Sequence, residues 1–214
     1  MQIELENYIL QHSDTESKLL QDLYRETHLY VKHPRMASGH IQGRFLAFLS
    51  QLIRPEHILE IGTFTGYSAL CFAEGLSPNG KLITIEVDDE LEDRIRKYIQ
   101  LAGYQEQIQL IIGDAKQTIP NLDTKFDLVF IDGDKREYPE YLKLVKSCLN
   151  PGAILIADNV LWDGKVLESE KETDKMTHGV QIFNDVLQHD ADFQNIILPL
   201  RDGLSISRFT PKTS

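Results

Sequence analysis

The sequence predicts an α/β fold: a doubly wound, mostly parallel sheet with an antiparallel hairpin at one edge and extra helices at the N-terminus. Three observations predict it. From His57 onward, short apolar runs alternate with amphipathic stretches of helical length. The first five of those runs each end in or beside a carboxylate, and two further runs then follow each other across a short turn. Strands alternating with helices give a parallel sheet covered on both faces, and two adjacent late strands pair antiparallel. A chain of 214 residues without internal repeats suits one domain, read here as N-terminal helices over 1–55 and a seven-stranded core over 56–214.

The elements follow in order. Ser17–Leu29 carries Leu19, Leu20, Leu23 and Tyr24 at the spacing of an amphipathic helix. A looser stretch over 33–40 precedes a second helix, Gln42–Leu52, which stops before Pro55. The core then reads as strand Ile58–Ile61, helix Ser68–Gly75, strand Lys81–Ile85, helix Glu90–Ala102, strand Gln109–Ile112 and helix Ala115–Leu122. It continues as strand Phe126–Ile131, helix Glu137–Cys148 and strand Ala153–Ala157. After a charged loop over Asp163–Thr177, expected to be mobile, come helix Thr177–Gln188 and the paired strands Phe193–Leu198 and Leu204–Phe209.

Bulk chemistry excludes several function classes. Net charge is −11 and no basic stripe is present, since Arg94, Arg96 and Lys97 alternate with acids on one helix, so nucleic acid is not the expected partner. The longest apolar runs are far too short to cross a bilayer, so no membrane partner is expected. The opening MQIELENYILQ lacks a basic segment followed by an apolar one, so a secretory signal is not expected and a cytoplasmic location is. In a reducing compartment Cys71 and Cys148 read as two buried thiols rather than a disulfide.

Ligands of open α/β sheets collect outside the carboxyl ends of the strands, where Glu60, Glu86, Asp114, Asp132 and Asp158 fall. Any one of these acids also suits a helix cap; five on one rim favour a site. In Glu60-Ile61-Gly62-Thr63-Phe64-Thr65-Gly66-Tyr67-Ser68 the glycines allow close backbone approach to a ligand. The acid two residues before Gly62 opposes a diphosphate and suits a sulfonium or an α-amino group. The spacing is not the GxGxxG of dinucleotide enzymes, which disfavours a nicotinamide dehydrogenase. Glu86 can accept the hydroxyls of a ribose, and Asp114 with Ala115 can meet an adenine edge.

These residues resemble those of the class I S-adenosylmethionine-dependent methyltransferases, and most of all the small cation-dependent O-methyltransferases typified by the caffeoyl-CoA and catechol enzymes. The resemblance runs from about Leu29 to Phe209 and implies a Rossmann-like core with S-adenosyl-L-methionine as cofactor. It assigns Glu60, Gly62, Thr63 and Ser68 to the amino-acid part of the cofactor, Glu86 to the ribose, and Asp114 with Ala115 to the adenine, and counts Tyr67 among the cofactor-binding residues. Met36, Ser38 and Tyr141 match further cofactor positions, as does Asp132.

At the chemical end, Asp132 and the Asp158-Asn159 pair close adjacent strands, which lie about 4.8 Å apart. Two carboxylates and an amide oxygen suit a hard cation; equally, on the residues alone, Asp132 caps the following helix and Asp158-Asn159 makes a turn. The resemblance implies that Asp132, Asp158 and Asn159 are the metal ligands, with magnesium (Mg2+) first and manganese or calcium as substitutes. It also puts Lys135 in the position of a catalytic base, where the residue alone reads as a surface lysine paired with Asp134 or Glu137. A phenol ionises only near pH 10, so a cation beside its oxygen and a neutral amine to take the proton give the reaction a reason for both.

Trp162 is expected in the acceptor wall, with Asp202 of the Arg201-Asp202-Gly203 turn and His40 as further acceptor candidates. The expected acceptor is a small aromatic vicinal diol. A free catechol is preferred over an acyl-CoA ester because only His33 and Arg35 hint at a phosphate site. A homodimer through the N-terminal helices is also implied. The competing readings are a methyltransferase for a tRNA base or an amine, and an S-adenosylmethionine-binding module without catalysis.

Overall fold

The computed structural model describes residues 3–169 and 174–212. Its elements run α1 (Ile3–Gln11), α2 (Lys18–Tyr30), α3 (Gly39–Ile53), β1 (His57–Ile61), α4 (Tyr67–Ala73), β2 (Lys81–Glu86), α5 (Glu92–Leu101), β3 (Ile108–Ile112) and α6 (Ala115–Thr118). They continue as β4 (Phe126–Ile131), α7 (Tyr138–Lys146), β5 (Leu149–Asp158), α8 (Lys175–His189), β6 (Phe193–Leu198) and β7 (Leu204–Phe209). The sheet has seven strands in the order β3-β2-β1-β4-β5-β7-β6. β1 to β5 are parallel, and β7 and β6 close the edge antiparallel. The expected doubly wound sheet with its edge hairpin is the observed one.

The strands are almost continuously apolar because both faces are covered, and side chains alternate between those faces. In β4, Leu128 and Phe130 pack with Ile58, Leu82 and helices α2 to α5 on one face. Val129 and Ile131 pack with Leu59, Ile85 and the residues of α7 and α8 on the other. Cys71 belongs to the first layer and Cys148 to the second, and both are free and buried. Truncating a side chain such as Leu59, at 0% exposure, removes packing worth about 2–5 kcal/mol.

Element ends differ from the sequence reading where side chains cap them. Ser17 is not the first helical residue of α2 but its cap, accepting from the Leu20 N–H. The helix expected at Glu137 is a 3-10 turn, Lys135–Glu137, capped by Asp134, before α7 begins with Pro139 in its first turn. β5 starts four residues before the expected Ala153. The segment expected as a mobile loop opens with the 3-10 stretch Trp162–Leu167, in which Asp163 and Gly164 have positive φ, and gives way to α8 at Lys175. Residues 170–173 of that expectation lie outside the described residues.

β1 lies between β2 and β4, so the strand order reverses beside it. The crevice outside its carboxyl end is where such sheets bind ligands.

Candidate active site

The carboxyl ends of β1 to β5 open into a cavity of about 1410 Å3. At its centre Gly62, with φ 93°, passes the Asp132 backbone so closely that an added Cβ would sit 2.4 Å from the Asp132 carbonyl oxygen. Only glycine lets β1 and the turn after β4 share that space.

On the β2–β3 side, Glu86 closes β2 and faces the cavity. Its Oε1 accepts from the Val87 and Asp88 N–H groups at 3.0 and 2.9 Å, and its Oε2 accepts from Phe64 at 2.6 Å. That last bond holds Phe64 in a left-handed conformation, φ 51°. Burial raises the Glu86 carboxyl above its ordinary value, against these three donors. A carboxylate has about four lone-pair sites, so Oε2 keeps one for a ligand hydroxyl. Asp114 and Ala115 line the same wall. Asp114 also caps α6 through the Lys116 N–H at 2.8 Å, so it makes the cap and lines the cavity at once. Tyr141 lines the floor with its hydroxyl on Glu137 at 2.6 Å, and Met36 forms an exposed part of the rim.

Five residues assigned to the cofactor stand behind this wall. Glu60 is fully buried and off the cavity lining. Its two oxygens accept from Ser68 at 2.6 Å and Thr84 at 2.5 Å, and Thr84 in turn meets Thr63. Burial pushes the Glu60 carboxyl up to about 8, against the Ser68 and Thr84 hydroxyls that tie it to α4 and β2. Ser68 and Thr63 are spent in that network. Tyr67 turns the other way, its hydroxyl on Glu16 and its ring edge-on to Tyr24, because α4 packs that face against α2. Ser38 is buried, and its carbonyl accepts from Arg201.

On the β4–β5 side the geometry is more compressed. Asp132 and Asp158 both line the cavity. Asp158 Oδ2 accepts from Gln42 Nε2 at 2.6 Å and Oδ1 from the Asn159 N–H at 2.7 Å. Asn159 lines the same wall in a left-handed conformation, φ 57°, which asparagine tolerates better than most residues. Burial pushes Asp132 up to about 6 against the pull of Lys135, and Asp158 adds to the rise. The helix-capping alternative for Asp132 does not hold, since Asp134 makes that cap.

Lys135 is not a surface lysine. It is buried at 7% exposure, and its Nζ donates to Asp132 Oδ1 at 2.8 Å, the Tyr138 hydroxyl at 2.7 Å and the Gly133 carbonyl at 3.3 Å. The carboxylates once considered for it are taken by others, Asp134 by Arg136 and Glu137 by Lys116. The Tyr138 hydroxyl donates to the Asp158 backbone carbonyl at 2.9 Å, which links the lysine to the end of β5. Gly179 lets α8 cross directly over the Lys135 backbone, where a Cβ would lie 2.2 Å from its carbonyl oxygen.

Of the acceptor candidates, Trp162 lines the cavity in a left-handed conformation, φ 47°. Asp202 does not reach the lining: its carboxylate accepts from the Asp163 N–H at 2.6 Å, and its neighbour Arg201 faces the cavity instead. His40 is likewise off the lining, its Nε2 at 2.7 Å from the Asp14 carbonyl, because α3 turns that face toward the N-terminal segment. Sequence reasoning missed Gln42, Tyr138 and Arg201. The D-x-x-K-x-x-Y spacing of Asp132, Lys135 and Tyr138 was available as a signal for one of them.

The family model described as O-methyltransferase matches residues 10–210. The chain belongs to the S-adenosylmethionine-dependent O-methyltransferase family. It is 39% identical to the catechol O-methyltransferase of Niastella koreensis over 183 residues, 81% of this chain and 82% of that one. It is 31% identical to the caffeoyl-CoA O-methyltransferase of Stellaria longipes, over 96% of this chain and 90% of that one. Among solved structures, the O-methyltransferase TomG of Streptomyces achromogenes, determined with S-adenosylmethionine, superposes with a TM-score of 0.90 at 29% identity, covering 97% of this chain and 96% of that one. The O-methyltransferase of Bacillus cereus, determined with S-adenosylhomocysteine, gives 0.88 at 26% identity and 97% coverage of both.

Proposed function

We propose that the enzyme transfers the methyl group of S-adenosylmethionine to one hydroxyl of a small catechol-type acceptor, with a divalent cation and Lys135 assisting. The observation that carries this reading is the juxtaposition of buried Lys135 with Asp132 at the mouth shared by Asp158 and Asn159. Among the described residues no group of three or more His, Cys, Asp or Glu side chains is arranged to hold a metal. The metal reading therefore stands on Asp132, Asp158 and the Asn159 amide. That donor set fits a hard cation: two carboxylates and an amide oxygen line one wall, Asp158 is buried and burial raises the Asp132 carboxyl, and oxygen donors suit magnesium.

When bound, the cation favours the ionised form of an acceptor oxygen and orients its vicinal neighbour. The chain does the rest. Asp132, Asp158 and Asn159 hold the donor set, and Asp158 is itself steadied by Gln42. Lys135 Nζ is the group placed to take the hydroxyl proton, and the Tyr138 hydroxyl and Asp132 fix its position. Glu86, Asp114 and Tyr141 line the half of the cavity that suits a nucleoside, and Trp162 gives the acceptor a flat apolar wall. Methyl transfer needs little beyond alignment of oxygen, carbon and sulfur with water excluded, which these walls supply.

A specific observation supports a second acceptor class. Lys32, His33 and Arg35 sit together on the cavity rim of an acidic chain, more basic groups than the sequence reading counted there. They suit an acceptor with an anionic tail, such as an acyl-CoA ester. Turnover over a panel of catechol, caffeate, caffeoyl-CoA and flavonoids with added magnesium separates the two. Methylation of free catechol at a higher kcat/KM supports the first reading, a preference for the CoA ester supports the second, and no methylation of any vicinal diol contradicts both. No helix among the described residues is long and apolar enough to cross a membrane, and the reading keeps the protein in the cytoplasm. It also keeps a homodimer, supported by the exposed Phe48 and Leu52 of α3.

A further inference from the structure

The turn between β6 and β7 does more than join two strands. Arg201 adopts a left-handed conformation there, φ 51°, which turns its side chain away from the hairpin and toward the segment between α2 and α3. Its Nη1 donates to the carbonyls of Ala37, at 3.0 Å, and Ser38, and its Nη2 to that of Arg35 at 3.1 Å. A longer contact at 3.5 Å reaches Gln42 Oε1, and Gln42 holds Asp158. The same turn grips the acceptor side through backbone bonds, from Val160 to the Gly203 carbonyl at 3.1 Å and from Leu161 to that of Asp202 at 3.0 Å.

Three carbonyls gathered on one guanidinium need a forked, permanently charged donor, which arginine supplies and lysine does not. The segment they belong to contains Met36, which lines the cavity, and Ala37 and Ser38, which are buried beneath it. Few other bonds hold this segment to the sheet; its own backbone bonds, Met36 to His33 and Ala37 to Pro34, are local.

We infer that Arg201 is a positioning residue that fastens the Arg35–Ser38 segment, which carries the cofactor positions Met36 and Ser38 implied by the resemblance, at the rim of the cavity. The inference rests on the use of S-adenosylmethionine by this enzyme and is independent of the metal and of the acceptor. It makes the β6–β7 turn the common anchor of that segment and the acceptor wall.

The test is the affinity of Arg201→Ala and Arg201→Lys for S-adenosylhomocysteine, measured calorimetrically in chelator so that no metal contributes. Thermal midpoints confirm that both variants fold. The expected result is binding weakened about tenfold in both variants, one decade of affinity, with the KM for S-adenosylmethionine rising in step and kcat changing far less. Wild-type affinity in Arg201→Ala overturns the inference. So does full recovery in Arg201→Lys, which would make charge alone sufficient, and so does a loss confined to kcat. Because wild-type binding of S-adenosylhomocysteine is measured alongside, failure of the cofactor reading itself shows separately, as no binding in any form.

Discussion

The two halves of the cavity hold their carboxylates in different ways. On the β2–β3 side the partners are backbone N–H groups: Glu86 is bonded by those one and two residues on and by that of Phe64, 22 residues back, and Asp114 by the one two residues on. On the β4–β5 side, side chains do much of the holding: Lys135 bonds Asp132 from three residues on, and Asp158 is held by the next N–H, that of Asn159, and by Gln42, 116 residues away. The difference teaches which half is held by backbone donors and which is assembled by side chains, one of them reaching from α3. In the proposed function the backbone-held half takes the cofactor and the assembled half carries the buried lysine.

The largest effect is expected on the assembled side. Lys135→Met keeps length and apolar stem but removes the proposed proton acceptor, and turnover should fall by about 10²–10⁴-fold, the usual worth of general base catalysis. Affinity for S-adenosylhomocysteine should stay within about twofold of wild type, because Lys135 Nζ is bonded to Asp132, Tyr138 and Gly133 and not to the cofactor half of the wall. Parallel measurement of kcat and of calorimetric Kd checks it. An equal loss in both would erase the proposed division of labour.

A smaller effect is expected from Glu60. Its carboxyl is raised to about 8 in the folded chain from an ordinary 4.5. Between those values the folded protein holds a proton that the unfolded chain has released, so its contribution to stability falls as pH rises through that window. Glu60→Gln keeps a neutral group of the same shape. It should flatten the decline in urea midpoint between pH 5 and 8 while leaving the midpoint near pH 5 little changed. An unchanged slope would mean that Glu60 is ionised in the folded state, as a partner for a cationic ligand requires.

The same contrast explains what was legible in the sequence. The sheet could be read because strand runs are apolar on both faces and the acids fall at their ends, a pattern that survives without knowledge of contacts. Glu86 and Asp114 could be read because their neighbours follow immediately. Glu60 was found but misjudged: its position beside Gly62 is visible, yet the Ser68 and Thr84 hydroxyls that occupy both its oxygens are a matter of β1–β2 register and of α4. Tyr67 and His40 went astray because a helix spacing tells which residues share a face, not which neighbour that face meets. Gln42 and Arg201 were out of reach for the converse reason, as their partners come together only when α3 and the edge hairpin close on β5. At the β6–β7 turn it is Arg201, in a left-handed conformation, and not Asp202 that lines the cavity, a difference of one residue that the turn's backbone sets.

The central claim is that Asp132, Asp158 and Asn159 serve the chemistry through a divalent cation. The most direct measurement is the initial rate of catechol methylation by enzyme stripped with chelator and then titrated with magnesium, followed by mass spectrometry of the methylated product. The account predicts a rate at background after stripping and saturable recovery with magnesium in the wild type, with recovery displaced to higher magnesium in Asp158→Asn. Undiminished methylation in chelator would contradict it.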